Sequence, residues 1–227
     1  MAIAIEVATK DCTALTDSEL AEMADLAAGA RGRWEIGFLS KQRDEWVLVT
    51  HAREEGRLRG FALSTLERIG GTPSLLVGLG SFTHGRTAAA ALDAVMHDLY
   101  RRAVLAFPDE DVLVGTRFLD PAGFQAFRGL EDVVPRPGHR ATGEERAWGR
   151  RLAKRFGAEG RIDDRTFIVT GDASPPAAFD FEALKPEKID PDVAAFFDGI
   201  DRGRCDYLIA FGWAMAEELA SKLGAGK

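Results

Sequence analysis

Apolar positions recur along this chain with two periods, and their succession gives an order of elements. Ile3–Val7, loosely alternating, reads as a first strand. Thr16-Asp-Ser-Glu19 has capping-box spacing and opens a helix to about Ala28, with Leu20, Met23, Ala24 and Ala27 at helical period. No period dominates Gly32–Arg43. Trp46–Ala52 and Arg57–Leu66 then flank Glu54-Glu-Gly56 as a hairpin, and Gly70-Gly-Thr-Pro73 turns into a third strand, Ser74–Phe82. A long helix follows with Ala88, Leu92, Val95, Met96, Leu99 and Ala103 on one face, stopped by Pro108. Asp111–Arg117 reads as a short buried strand, and Asp120-Pro121 as the cap and first residue of a short helix.

Beyond Pro135 the pattern thins. Thr142-Gly-Glu-Glu145 is a second capping box, for a helix to about Phe156. Thr166–Thr170 is a short strand. Ser174-Pro-Pro opens an extended linker to Pro191, expected to run over the surface. A short helix at Pro191–Phe197, a buried strand at Asp206–Phe211 and an amphipathic helix at Ala214–Leu223 complete the chain. The expected organisation is a core over residues 1–135 and an extension over 136–227 that completes the same sheet within one globular unit.

Composition narrows the function classes. With 46% apolar and 29% charged residues, the chain is that of an ordinary globular domain. A net charge of -7 argues against nucleic acid as the main partner. Two cysteines far apart, Cys12 and Cys205, make no disulfide framework, and no stretch reads as a signal peptide or membrane span. A cytoplasmic protein with no membrane partner is expected. The four histidines have no metal-ligand spacing, so no metal is expected.

The stretch Gly78–Ala88, where a strand hands over to the long helix, carries the candidate chemistry. A helix N-terminus offers free N–H groups and a partial positive charge, which together favour phosphate. Arg86 in the first turn opposes the helix dipole, which a bound anion would explain. Gly78 and Gly80 inside an apolar strand point to a bulge or a close approach. His84 beside Gly85, and the strand-end carboxylates Glu45 and Glu67, are further polar candidates.

Residues 46–135 resemble the core of the GCN5-related N-acetyltransferase (GNAT) superfamily. Three features carry the likeness: the hairpin with Gly60 beside Phe61, the Gly78–Leu99 block, and Asp120-Pro-Ala-Gly-Phe-Gln-Ala-Phe-Arg-Gly-Leu ending in Val134-Pro135. The resemblance implies an α/β (α+β type) fold with a mixed, mostly antiparallel twisted sheet flanked by helices. It implies acetyl-CoA or another acyl-CoA as co-substrate, held by Gly80, Ser81, Phe82, Gly85, Arg86, Thr87 and Ala88, with acyl transfer to an amine by direct attack. In the related fold a splayed strand at this point offers its amides to the acyl carbonyl and the pantetheine arm. The acceptor stays open, and a homodimer is compatible with the pattern.

The chain departs from the family where activity is usually declared. Arg86-Thr-Ala-Ala89-Ala-Ala91 has alanine where the pyrophosphate loop's first glycine belongs, and Phe127 stands near the place of the tyrosine that protonates the leaving thiolate. Cys205 and Tyr207 are the remaining candidates for catalysis, as nucleophile and as proton donor. Two expectations follow: an acyl-CoA N-acyltransferase, or a degenerate relative that binds a ligand or protein without turnover.

Overall fold

A computed structural model of the chain describes residues 4–182 and 185–217. The first strand, β1 (Glu6–Asp11), starts later than the expected Ile3–Val7. Its register is set by pairing with β2 rather than by apolar alternation, and Thr9 bonds Thr50 and Asp98 through its hydroxyl. α1 (Asp17–Ala28) has the expected capping box: Thr16 Oγ1 accepts from the Glu19 amide, and the Glu19 carboxylate accepts from the Thr16 amide. α2 (Ile36–Glu45) lies in the stretch where no period dominates. Its start carries no side-chain cap, and Leu39 is the buried residue of the helix, so both usual signals are missing.

β2 (Leu48–Glu54), β3 (Arg57–Ile69) and β4 (Thr72–Phe82) form the expected antiparallel meander. Both hairpin loops have two central residues at positive φ, Glu55-Gly56 and Gly70-Gly71, the geometry that matches strand twist. α3 (Ala88–Ala106) then crosses to β5 (Val112–Phe118), which runs parallel to β4 over Ser74–Val77 against Leu113–Thr116. Asp120 caps a short 3-10 helix at Pro121–Phe127 by accepting from the Ala122 amide. β6 (Glu131–Val134) and α4 (Gly143–Arg155) follow, the latter with the Thr142–Glu145 capping box. After β7 (Ile168–Val169), β8 (Phe179–Asp180) and α5 (Pro191–Ala194), β9 (Tyr207–Ala214) pairs antiparallel with β5 along its whole length, and β6 and β7 pair with β9. Ala214 closes β9, and the helix expected over Ala214–Leu223 lies mostly outside the described residues.

The sheet order is β1-β2-β3-β4-β8-β5-β9-β6. Alternate strand residues face two cores. One packs α3 against Leu75, Val77, Val112 and Val114; the other holds Leu76, Leu79, Leu113 and Phe211 with residues of α1, α2 and α4. β8 corrects the expectation of a surface linker. Ala178, Phe179, Asp180 and Phe181 are all buried, because two phenylalanines fill a gap between diverging strands. The prolines that make the segment look like a linker end at Pro176, just before it enters the sheet.

Candidate functional site

The site is built where β4 and β5 part. Their pairing ends at Val77 and Thr116, and Gly78 is a bulge residue: Leu79 pairs with Leu63 and Val77 with Ser64, so nothing on β3 faces it. A Cβ at Gly78 would run into the Trp46 indole, and one at Gly80 would lie 3.0 Å from the Phe61 carbonyl oxygen and 3.1 Å from the Phe179 ring. The close approach inferred from these glycines is thus made by the protein's own atoms.

β8 occupies the cleft between the parted strands. The Gly80 amide donates to the Ala178 carbonyl (3.1 Å) and the Leu119 amide to the Phe179 carbonyl (3.4 Å). Gly80 and Ser81 stand opposite Phe179 and Asp180, while Phe118 of β5 stands opposite Phe179 from the other side. Phe82 packs against Phe179 and Phe181 at ring separations of 5.3 and 5.8 Å. Residues 176–182 are pinned along their length. Trp34 Nε1 donates to the Pro176 carbonyl (3.1 Å), the Gly32 amide to Asp180 Oδ2 (2.6 Å), and Arg31 bridges Glu182 (2.7 Å) and Asp120 (2.6 Å). Asp180 Oδ1 is buried without a partner among the described residues. Burial pushes that carboxyl up to about 6 from 3.8, the Gly32 amide resisting the shift and the charge of Glu182 adding to it.

The other expected donor-site residues lie beyond this segment. Gly85, Arg86 and Ala88, with Ala89, line a cavity of about 280 Å³ at the start of α3, which Arg128, Lys185 and Lys188 also line. Gly85 takes φ 126°, a conformation glycine adopts freely. Thr87 is the N-cap of α3 and makes no side-chain cap bond, so the amides of the first turn are not taken by it. Here the end of a 19-residue helix and four cations converge, an arrangement that suits phosphate. Lys185 and Lys188 carried no sequence signal, since only the path of the 177–182 segment brings them here.

The remaining candidates fall elsewhere. His84 is half exposed, with Nδ1 3.6 Å from Glu182. Glu67 is bound by Arg155 through two hydrogen bonds of 2.7 and 3.2 Å. Phe127 is buried against Phe118 and Phe124 and has no proton to give. Of the chain's two tyrosines, Tyr100 donates its hydroxyl to the Ala126 carbonyl (2.7 Å), and burial pushes its phenol up. Tyr207 is buried at the start of β9, its ring centroid 6.0 Å from the Arg117 guanidinium carbon, and burial raises it too. Cys205, in a left-handed conformation (φ 59°), lines a cavity of about 160 Å³ with Tyr207 and Arg117. Among the described residues no cluster of His, Cys, Asp or Glu could hold a metal, and no helix is long and apolar enough to cross a membrane.

No family model matches the chain, and no curated protein matches it. Solved structures that resemble it include a ribosomal-protein-alanine N-acetyltransferase from Brucella melitensis biovar Abortus 2308, at 21% identity and TM-score 0.38 over 49% of this chain and 79% of that one. An aminoglycoside 6'-acetyltransferase type Ii gives 11% identity and TM-score 0.42 over 57% and 86%. A GNAT family acetyltransferase from Brucella melitensis in complex with acetyl-CoA gives 14% and 0.36 over 48% and 75%. The strand order, the β4–α3–β5 crossover and the parting of β4 from β5 give this chain a mixed α/β fold with a mostly antiparallel sheet flanked by helices.

Proposed function

We propose that this protein has the frame of an acyl-CoA-dependent N-acyltransferase, keeps the phosphate end of the donor site, and fills the thioester end with its own chain. It therefore binds the nucleotide-phosphate part of a CoA-type ligand without transferring an acyl group. The observation that carries this is the Gly80 amide, spent on the Ala178 carbonyl at 3.1 Å. In the related fold, amides of this splayed strand serve the acyl carbonyl and pantetheine, and stabilising a developing oxyanion requires donors free to reach it. Here the donor is taken, and Phe179 sits in the cleft. Around α3 the residues fit phosphates: Arg86, Arg128, Lys185 and Lys188 line the cavity at the helix start.

The hydroxyls near the donor cleft support the same reading. Phe127 has none, the Tyr100 hydroxyl is committed to the Ala126 carbonyl, and Tyr207 lines a separate cavity beside Arg117. Two small residues, Ala88 and Ala89, still let the backbone come near a phosphate, though less closely than glycine would.

The test compares adenosine 3',5'-bisphosphate, CoA and acetyl-CoA by calorimetry, with thiol release followed against a panel of amines. Expected are affinities within about threefold of each other, under ~0.7 kcal/mol, and no thiol release. Acetyl-CoA binding more than about tenfold tighter than the nucleotide, ~1.4 kcal/mol from the pantetheine arm, or thiol release with any amine, would show the cleft open and overturn the proposal. Failure of all three ligands to bind would remove the phosphate site as well.

A further inference from the structure

On the sheet face away from α3, Arg117 of β5 holds a buried positive charge with no carboxylate partner among the described residues. It is 6% exposed. One terminal nitrogen donates to the carbonyl of the bulge residue Gly78 (2.7 Å), and the guanidinium lies 4.5 Å over the Phe156 ring. Its Nε is buried and has no hydrogen-bond partner among the described residues. Among the described residues no carboxylate hydrogen-bonds to it: Glu45 acts on it only through its charge, Glu67 is held by Arg155, and Asp172 lies 3.7 Å from Arg161. Desolvation pulls its pKa down to about 10, so it stays charged at neutral pH. A buried cation that lacks a carboxylate is costly to the fold, and a ring face and one carbonyl do not replace a counter-ion.

The same guanidinium lines the cavity of about 160 Å³ described above, together with Arg161, Ser174, Cys205 and Tyr207. Two arginines against Asp172 leave the lining with an excess of one positive charge, and Ser174 and Tyr207 add hydroxyls. That volume admits a small organic anion and is too small for a nucleotide. A planar guanidinium fork matches a carboxylate, which accepts two parallel N–H bonds.

We propose that this cavity is a binding site for a small carboxylate, with Arg117 as its buried anchor and Arg161 as the second cation at its mouth. The site stands independently of the CoA-phosphate cavity, which lies at the start of α3 and shares no lining residue with it.

Binding is measured by titrating sodium acetate into the full chain by calorimetry, with sodium chloride at matched ionic strength as the reference. Wild type, Arg117→Met and Arg161→Ala are compared. Saturable acetate binding is expected in the wild type, weakened at least tenfold in Arg161→Ala and lost in Arg117→Met. Methionine removes the charge and keeps much of the volume, so this variant is also expected to melt higher than the wild type without acetate. Should Arg117→Met not fold, Arg161→Ala at the partly exposed rim carries the comparison. No acetate signal above chloride, or equal affinity in wild type and variant, overturns the proposal. Inorganic phosphate binding in place of acetate overturns it too, since the site would then take a tetrahedral anion.

Discussion

Replacing Asp180 with asparagine isolates the one ionisable group inside the strand that fills the cleft. Its carboxyl is 2% exposed, takes one hydrogen bond from Gly32, and leaves Oδ1 without a partner among the described residues. Burial raises it from 3.8 to about 6. Because the folded protein holds this proton more tightly than the unfolded chain, the group's stabilisation is complete below about pH 4 and is lost as pH rises through about 6. A shift of roughly two units corresponds to about 3 kcal/mol, with no discount for solvent screening at this depth. Asparagine keeps the carbonyl that accepts from Gly32 and carries no charge at any pH. Whatever constant offset its amide brings, the variant's stability relative to wild type should climb by about 2.5 kcal/mol between about pH 4 and 7. His51 changes in the same window with the opposite sign: desolvation lowers it from 6.5 to about 4, so its stabilisation is lost as pH falls. That contribution is common to both proteins and cancels in the difference. Urea unfolding of both at five pH values gives the curve, read as midpoints at constant m. A difference that stays flat to within about 0.5 kcal/mol over this range, less than the scatter of independent sites, would refute the burial of Asp180 and with it the placement of residues 177–182 in the sheet.

Phe179→Gly should empty the centre of the cleft, where the ring meets Phe82 and Phe118; loss of a buried phenylalanine costs about 3–5 kcal/mol. Calorimetry on this variant should then show acetyl-CoA gaining over adenosine 3',5'-bisphosphate, and unchanged relative affinities would mean the pantetheine path is closed for another reason. Gly78→Ala meets the Trp46 indole and should destabilise by about 1–3 kcal/mol in denaturant titration; a neutral result would mean the bulge relaxes freely. Thr142→Ala removes the hydroxyl that accepts from the Glu145 amide and should cost about 1 kcal/mol, read as a lower midpoint of thermal unfolding. His51→Phe should flatten the acid side of the stability curve between about pH 4 and 6.5, where wild type loses His51's contribution; an unchanged slope would place that histidine in water.

Legibility in the sequence followed the kind of signal each element sends. α1 and α4 announce themselves by capping boxes, α3 by its apolar face, and the meander by two-residue turns with glycine. These are local rules, satisfied within a few residues of where they are read. β1 and α2 escape them. One is a polar edge strand whose register comes from β2, and the other has neither cap nor stripe. Gly85, Arg86 and Ala88 are legible as the handover into a helix start, and the structure gathers them on one cavity. Gly80, Ser81 and Phe82 form one wall of the cleft, but what fills the cleft comes from nearly a hundred residues downstream.

By itself the sequence determined α1, the β2–β4 meander, α3, β5, α4 and the strand that became β9, with their turns, caps and the glycine-containing handover into α3, because each is fixed by short-range geometry and by which face of an element must leave water. Only the tertiary structure decided where residues 177–182 go and which cations gather at α3. It also left Arg117 buried without a carboxylate partner among the described residues. Those outcomes depend on contacts between distant segments: Ala-Ala-Phe-Asp-Phe reads as a linker until two parting strands offer it unpaired amides and a gap the size of a phenylalanine ring.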